Sequence, residues 1–433
     1  MLGFVKPTRV ISALYLRIGP KALLLGTVVF LVLSYRIHTT QELRDFGLWL
    51  RARGDLKSRV DPYVASSGIF KSGPIAPWVF LFLHSICLQN TYIFYYLLTA
   101  INIFGIIYFA KFFYTFSTQS QKTATYLVIF TLLSSSVRET LVNGQITGIL
   151  LGGSLFVVRV WKRNLPWFST LNILATIVSL LILDLKPNIV LPLFLILSTF
   201  RTFRTRLVIV TLVYLSLTCL VSSYAKSDLV SSWIRTLAGL NDANSNLSLY
   251  GSLNIWQVMN TLLPDNSLKG IALTILPITV YILFSFSLAY QSRQIPFELS
   301  ILTALVIPFF YSYSHYYSYL PVLIGSILLV WKWGNSFALG ALLSFFLLSF
   351  DLNITNIVLS LFLAVLCSYT FRTHISASWL FLFGWVSSIS VRYVIFFVLN
   401  NEYLVKSLLV SIPALSYMYV FYRRPSILMN HAK

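Results

Sequence analysis

Apolar stretches recur along nearly the whole chain of 433 residues, each close to the length that a helix needs to cross a bilayer. A transmembrane helix takes ~17–25 mostly apolar residues. Backbone groups in lipid must be hydrogen-bonded internally, and the stretches are apolar at consecutive positions, which excludes the alternating strands of a barrel. Only 10% of the residues are charged, against about 25% in soluble domains. The sequence therefore predicts an all-α polytopic membrane protein with about 12–14 transmembrane helices.

The basic residues predict which side of the membrane each connection faces. Residues 1–21 contain four Lys or Arg and no acid, so the positive-inside rule puts them in the cytosol. Basic runs at 159–163, 201–206 and 291–293 mark further cytosolic connections. The predicted parts are a cytosolic N-terminus (1–21), a transmembrane core (22–330) with outer loops at 38–75 and 225–270, additional C-terminal transmembrane helices (331–422) and a cytosolic tail (423–433).

This threading leaves a problem of parity. If every apolar segment crossed the membrane, the basic runs would not face the same side as the N-terminus. One segment must therefore fail to cross. We expect it to be 76–89, which is short, begins near two prolines and contains His84; the alternative is 122–137. In the second outer loop we expect short surface helices near Trp233 and Trp256.

The small number of acidic residues narrows the search for catalytic groups. Asp45 lies just after the first apolar segment, in an outer loop where an amphipathic helix over 43–53 is expected to lie on the membrane. A carboxylate there could deprotonate an acceptor hydroxyl. The ordinary alternative is a helix cap or a partner of Arg44.

Two further positions stand out. Asp184 and Lys186 lie in a short turn between two apolar segments, where an ionisable residue is a functional candidate. The alternative there is a snorkelling Lys186 paired with Asp184. His315 lies among tyrosines from Tyr311 to Tyr319, which an interfacial aromatic belt explains better than it explains the histidine.

The sequence predicts no nucleotide, metal or disulfide site. The chain has no GxxxxGK[ST], HExxH or GxSxG motif, which argues against a nucleotide-driven pump. Its three cysteines each lie in an apolar segment without a CxxC partner, so we expect neither a disulfide nor a metal site, and no cofactor.

Four features follow one another in a recognisable order: Asp45-Phe46, Asn143-Gly144-Gln145, Leu185-Lys186-Pro187, and His315 among tyrosines. In this order they resemble the membrane glycosyltransferases of the GT-C fold. The pattern is most similar to glycosyltransferase family 87, the polyprenyl-phosphate-mannose-dependent α-mannosyltransferases. The resemblance covers about residues 20–330.

The chain departs from the family pattern in one region. The family has a Gly-x-x-Pro-Tyr-like stretch followed by Tyr-Pro-Pro. This chain has Asp61-Pro62-Tyr63 for the first and Ile75-Ala76-Pro77 where the second is expected. The departure bears on which acceptor the chain would use.

The resemblance implies inverting transfer of a sugar, mannose or another hexose or pentose, from a polyprenyl-phosphate donor to a lipid-linked or polysaccharide acceptor. Asp45 would be the catalytic base. The donor phosphate would contact Lys186, His315 and Arg138, and the substrates would contact Gln145, Asn143, Asp61, Tyr63 and Tyr316. The implied partners are the donor, a glycolipid or glycan acceptor and membrane lipids, with no nucleic acid. The implied location is a bacterial plasma membrane, with the site on its periplasmic or extracellular side.

Two other functions fit the composition. A transporter or flippase of lipid-linked or anionic substrates also has many spans and helices interrupted by Gly and Pro. A polysaccharide polymerase or ligase also uses polyprenyl-linked sugars outside the cell. The ordered Asp-Phe, Gly-Gln and Lys-Pro elements favour the first function.

Overall fold

The computed structural model describes residues 21–31, 51–62, 73–87, 90–237, 254–264, 267–311, 319–333 and 402–423, apart from the pairs 56–57, 143–144 and 226–227 and a few single positions. The secondary structure of this part is helical and includes no strand. The helices are α1 (Ala76–Ile86), α2 (Thr91–Thr118), α3 (Gln121–Leu132), α4 (Ser135–Val142), α5 (Thr147–Lys162), α6 (Thr170–Leu185), α7 (Pro187–Thr199), α8 (Arg201–Ala225), α9 (Leu229–Leu237), α10 (Ile255–Leu262), α11 (Ser267–Gln291), α12 (Phe297–Val306), the 3-10 helix Ile307–Phe310, α13 (Tyr319–Trp333) and α14 (Glu402–Arg423).

Three of the described helices are long and apolar enough to cross a membrane: Ile93–Thr118 in α2, Arg201–Tyr224 in α8 and Ile271–Gln291 in α11. Large apolar side chains on them are exposed, such as Phe104, Leu220 and Leu283. A surface of this kind is stable in lipid and costly in water. The predicted class, an all-α membrane protein, is therefore supported. The predicted number of spans and the GT-C architecture stay predictions.

One end of the helix bundle is held together by polar contacts between three connections. Lys162 at the end of α5 pairs with Glu298 at the start of α12 (3.0 Å). Thr199 at the end of α7 hydrogen-bonds to Ser292 after α11 (3.2 Å). The guanidinium of the buried Arg206 donates to a carbonyl in the α5–α6 connection (3.1 Å). We call this the basic end, after its exposed arginines 163, 201, 204 and 293.

The basic end brings together the runs 159–163, 201–206 and 291–293, which the charge pattern predicts to share one side. The three runs lie at one end of the bundle, which agrees with the prediction that they face the same side of the membrane. The opposite end contains the α6–α7 turn, and we call it the Asp184 end. Which side of the membrane each end faces stays a prediction.

Helices α2 and α5 run in the same direction. Near the start of α5, Asn102 of α2 donates to the carbonyl of Gln145 and accepts from the amide of Ile149 (3.1 Å). Farther along, Arg159 of α5 donates to the hydroxyl of Tyr108 (3.3 Å). Since α5 ends at the basic end, α2 also starts at the Asp184 end.

Glycines allow this pair of helices to approach closely. A Cβ at Gly148 would overlap the carbonyl oxygen of Asn102, and a Cβ at Gly152 would lie 2.7 Å from the Cα of Gly105. Small residues spaced four apart let helix backbones meet in membranes. Gly148 and Gly152 have that spacing, so the pattern serves the contact between α2 and α5.

Helices α3 and α4 together cross back. The hydroxyl of Tyr114, near the end of α2, lies 2.7 Å from the hydroxyl of Thr131. The hydroxyl of Tyr95, near the start of α2, donates to the carbonyl of Leu141 in α4 (3.3 Å). The chain therefore returns from the basic end to the Asp184 end over 121–142, which includes the predicted segment 122–137.

Helix α1 does not cross. Its first amide, that of Ala76, donates to the carboxylate of Asp184, while the ring of His84 in its last turn lies 5.8 Å from Phe94 at the start of α2. Both ends of α1 are thus at the Asp184 end. Its 11 residues span ~16 Å, against a hydrocarbon core of about 30 Å. The geometry favours 76–89 over 122–137 as the segment that resolves the parity problem.

The second outer loop contains the two expected short helices, but only part of the surface prediction fits. Trp233 of α9 is half-buried and packs beside Tyr214. Trp256 at the start of α10 is only 5% exposed and packs on Leu273, and its indole N–H donates to a carbonyl of the 3-10 helix. Leu262 at the end of α10 is 68% exposed, so the helix is buried at its start and exposed at its end.

The C-terminal helix α14 packs into the same bundle. The hydroxyl of Tyr417 lies 3.0 Å from that of Thr303 in α12, and Gly325 of α13 leaves room for the Tyr417 ring. Tyr422 donates to the carbonyl of Phe284 in α11 (3.2 Å). The described part of the predicted C-terminal region is therefore continuous with the core.

Gly148→Ala should destabilise the protein. The added methyl group meets the backbone of α2, which cannot move aside, and overpacking of this kind costs about 1–3 kcal/mol. The matched control is Gly153→Ala on the same helix, where the nearest atom is the Cγ1 of Val178 at 2.9 Å and a side chain can shift. Thermal unfolding in detergent should show the larger loss for Gly148→Ala, and equal losses would contradict the contact.

Candidate functional site

The Asp184 carboxylate is at the centre of the best-defined polar cluster at its end of the bundle. Asp184 is fully buried at the end of α6. One oxygen accepts from the amide of Ile75 (3.2 Å) and from the hydroxyl of Tyr214 (2.9 Å), and the other accepts from the amide of Ala76. The carbonyl of Asp184 also accepts from the amide of Gly73 (2.6 Å). Asp184 thus ties the segment before α1 to helices α6 and α8.

The start of α1 explains why a carboxylate is found there. The first amides of a helix have no acceptor within the helix, and Pro77 in the first turn of α1 supplies none. The residue before the helix, Ile75, has no side chain that could cap it. Asp184 takes that role from a distant helix, and its negative charge suits the positive end of the helix dipole. The sequence suggested that Asp184 is either a functional ionisable group or a partner of Lys186, and neither interpretation included this helix cap.

Gly73 is required by the same cluster. A Cβ at this position would overlap the Asp184 carboxylate and lie 2.8 Å from the Tyr214 hydroxyl oxygen. The last residues of the first outer loop therefore lie directly against the turn between α6 and α7.

Lys186 is the single residue between α6 and α7. It is half-buried, its amide donates to the carbonyl of Ile182 (3.3 Å), and Pro187 starts the next helix. The turn is tighter than a loop of several residues, so its position is set by the two helices that it joins. Lys186 therefore lies two residues from Asp184, whose carbonyl accepts from the amide of Gly73 and whose carboxylate accepts from the amides of Ile75 and Ala76.

Gln145 precedes α5 and is 5% exposed. Its amide donates to the carbonyl of Thr140 (2.8 Å), and its carbonyl accepts from Asn102. A short connection joins the end of α5 to the start of α6, and Gly153 of α5 faces Val178 and Ile182 in the second half of α6. The two helices are therefore antiparallel, and Gln145 and Lys186 are at the same end. The role of the Gln145 side chain stays a prediction.

The described part of the first outer loop includes two of its acids. Asp61 is half-buried and precedes the buried Pro62. Two residues earlier Arg59 has φ 58°, in the left-handed region, where a non-glycine residue is uncommon. Burial raises the pKa of the Asp55 carboxyl, and the charge of Arg51, one turn earlier, partly offsets this.

Five of the predicted site residues lie outside the described residues: Asp45, Tyr63, Asn143, His315 and Tyr316. The side chain of Arg138, in α4, is also outside them. The roles assigned to these six stay predictions. In the described part of the chain, no group of three or more His, Cys, Asp or Glu side chains is placed to hold a metal.

Sequence reasoning missed three residues of this region: Gly73, Tyr214 and Asn102. Asn102 could have been found from the sequence, because an amide side chain in the middle of an apolar helix needs partners within the protein. Gly73 and Tyr214 could not, since each acts only through a contact with a residue distant in the chain.

Asp184→Asn should destabilise the region around α1. An amide group can offer only one acceptor oxygen, so at least one of the two backbone amides is left unpaired, at a cost of about 1–3 kcal/mol. The control is Tyr214→Phe, which removes one donor and leaves both amides paired, at a cost of about 1 kcal/mol. Thermal unfolding and proteolysis between residues 38 and 75 measure the two effects, and an Asp184→Asn protein as stable as the wild type would contradict the cap.

Comparison with protein-family models, curated proteins and solved structures finds no match for this chain. The similarity to GT-C glycosyltransferases therefore stays a resemblance of motifs in the sequence, and the function is argued from residues of this chain.

Proposed function

We propose that the chain is an inverting membrane glycosyltransferase that moves a sugar from a polyprenyl-phosphate donor to a lipid-linked or polysaccharide acceptor. Asp45 is its general base, and Lys186, with His315 and Arg138, binds the donor phosphate. The reaction takes place at the Asp184 end of the bundle, on the non-cytosolic face of a plasma membrane.

The observation that supports this proposal is the attachment of the first outer loop beside Lys186. The loop that contains Asp45 ends at Gly73–Ala76, where three amides donate to Asp184. Lys186 follows Asp184 by two residues. A base and a phosphate ligand that are distant in sequence need such an anchor if they are to meet at one substrate.

The chemistry needs few protein groups. The acceptor hydroxyl oxygen attacks the anomeric carbon, and its proton passes to the Asp45 carboxylate. The bond from the anomeric carbon to the phosphate oxygen breaks, and polyprenyl phosphate leaves with the electron pair. The cation of Lys186 stabilises the charge that develops on that phosphate. A single displacement inverts the anomeric centre and needs one carboxylate, which suits a chain with so few acids.

A transporter or flippase is the second candidate, and one observation favours it. Helix α12 gives way to a 3-10 helix that ends beside the middle of α11, and helices broken within the membrane are typical of transporters. A transferase and a transporter differ in product. Only the first joins the donor sugar covalently to the acceptor, which mass spectrometry of the reconstituted reaction detects.

Asp45→Asn should leave the protein folded and reduce the transfer rate at least about 100-fold, the range that a general base contributes. The matched control is Asp55→Asn in the same loop, which should transfer at close to the wild-type rate. Purified protein in proteoliposomes with a polyprenyl-phosphate sugar measures both. Retained transfer by a folded Asp45→Asn protein would reject the proposed base.

Lys186→Gln should raise the KM for the donor about tenfold, which corresponds to the loss of one charge-assisted contact with the phosphate. The control is Lys162→Gln, which removes the same charge at the basic end, where Lys162 pairs with Glu298. The acceptor KM should be unchanged in both variants. An unchanged donor KM in Lys186→Gln would remove Lys186 from the phosphate site.

A further inference from the structure

The basic end carries more positive charge than its own acids can balance. Its three connections contain six Lys or Arg and one acid, in the stretches 162–170, 199–206 and 291–298. The one acid, Glu298, pairs with Lys162 (3.0 Å), and Arg206 is buried. Among the described residues, the other four cations are exposed and have no carboxylate partner: arginines 163, 201, 204 and 293. The surface therefore suits an anion from outside the chain.

Two of the connections are held side by side. The hydroxyl oxygen of Thr199, at the end of α7, lies 3.2 Å from that of Ser292, which directly precedes Arg293. The Nε of Arg204 reaches back to the carbonyl of Ser198, which directly precedes Thr199 (2.7 Å). Arg204 and Arg293 are therefore on either side of the same hydrogen bond.

Aromatic rings fix the spacing of these two connections. Phe297, at the start of α12, stacks on Phe203 with ring centroids 5.6 Å apart and meets Phe200 edge-on at 4.8 Å. Arg201 directly follows Phe200, and Arg204 directly follows Phe203. The arginines thus stand on a packed base, so the connections cannot move apart to relieve the repulsion between their charges.

The start of α8 adds to the excess of positive charge. The helix begins at Arg201 and has no acid in its first turn. Arg201 and Arg204 are three residues apart, which brings two like charges onto one face of the helix at its positive end. Both effects are unfavourable, and a phosphate group bound by the two arginines offsets both.

The exposed face of α8 extends from these arginines into the membrane. Val208, Leu212 and Leu215 follow at helical spacing and lie on the same face as Arg201 and Arg204. Their side chains are 57%, 59% and 53% exposed, and they belong to the candidate span Arg201–Tyr224. A phospholipid has its groups in the same order, with a phosphate at the surface and acyl chains below it.

We propose that Arg201, Arg204 and Arg293 bind the phosphate of an anionic phospholipid whose acyl chains lie along α8. A headgroup with a net negative charge is preferred, because a choline or ethanolamine group would add a cation to a surface that already has too many. The inference does not depend on the proposed function, since this lipid is not a reactant and its site is at the opposite end of the bundle from Lys186.

Thermal unfolding in detergent measures the preference for the headgroup. The full chain is titrated with dioleoyl phosphatidylglycerol or with dioleoyl phosphatidylcholine, which have the same acyl chains. Half-maximal stabilisation should need at least about tenfold less phosphatidylglycerol, since each basic residue near an anionic headgroup contributes about fivefold. Equal responses to the two lipids would overturn the proposal. Equal stabilisation by glycerol 3-phosphate, which has no acyl chain, would also overturn it and assign the arginines to a soluble phosphate.

Charge-matched variants locate the site. Arg201→Gln combined with Arg204→Gln should abolish the preference for phosphatidylglycerol. The control removes two exposed cations of α2 and α3, by Lys111→Gln combined with Lys122→Gln, and should change the half-maximal concentration less than about twofold. Arg201→Lys combined with Arg204→Lys keeps both charges and should retain the preference. A preference that survives the first pair of substitutions, or that the control abolishes equally, would overturn the site.

Photo-crosslinking decides the inference even if the glutamine variant does not fold. Wild-type protein is irradiated with phosphatidylglycerol that carries a diazirine in one acyl chain, and mass spectrometry identifies the modified residues. Labels should fall on α8 at residues 208–215, and excess unlabelled phosphatidylglycerol should reduce them far more than phosphatidylcholine does. Labels confined to other helices, or displaced equally by both lipids, would overturn the proposal.

Discussion

The need to pair every backbone polar group within the bundle connects the main features of this structure. A helix that starts, breaks or ends inside a membrane leaves amides or carbonyls that water cannot reach. Three side chains resolve this, each from an element distant in sequence: Asp184 at the start of α1, Asn102 at the start of α5 and Asn254 at the end of the 3-10 helix. Each is buried, and each has more than one partner.

These three contacts also determine which segments are held in place. Asp184 fixes the last residues of the first outer loop, and Asn102 fixes the backbone of Gln145. Asn254 fixes the carbonyl of Tyr311. In each case a backbone amide or carbonyl of the held segment makes the contact.

The basic end has a different construction. Its contacts join side chains of neighbouring connections, such as Lys162 with Glu298 and the guanidinium of Arg206 with the α5–α6 turn. The ring of Trp167 in that turn lies 5.2 Å from the same guanidinium. These contacts hold the helices in register where they are joined by short turns, whereas the long outer loops at the other end are held by caps.

The sequence alone predicted the class of this chain and which of its connections share an end of the bundle. Length and apolarity of the segments predict helices in a membrane, and the basic runs predict which connections share an end, since both depend on residue type alone. The tertiary structure decided what the polar residues do. Asp184 caps α1, and the start of α10 is buried, because each depends on a partner more than 50 residues away. No local pattern reports such partners, and a buried amide or carbonyl reveals its need only when the fold brings the donor to it.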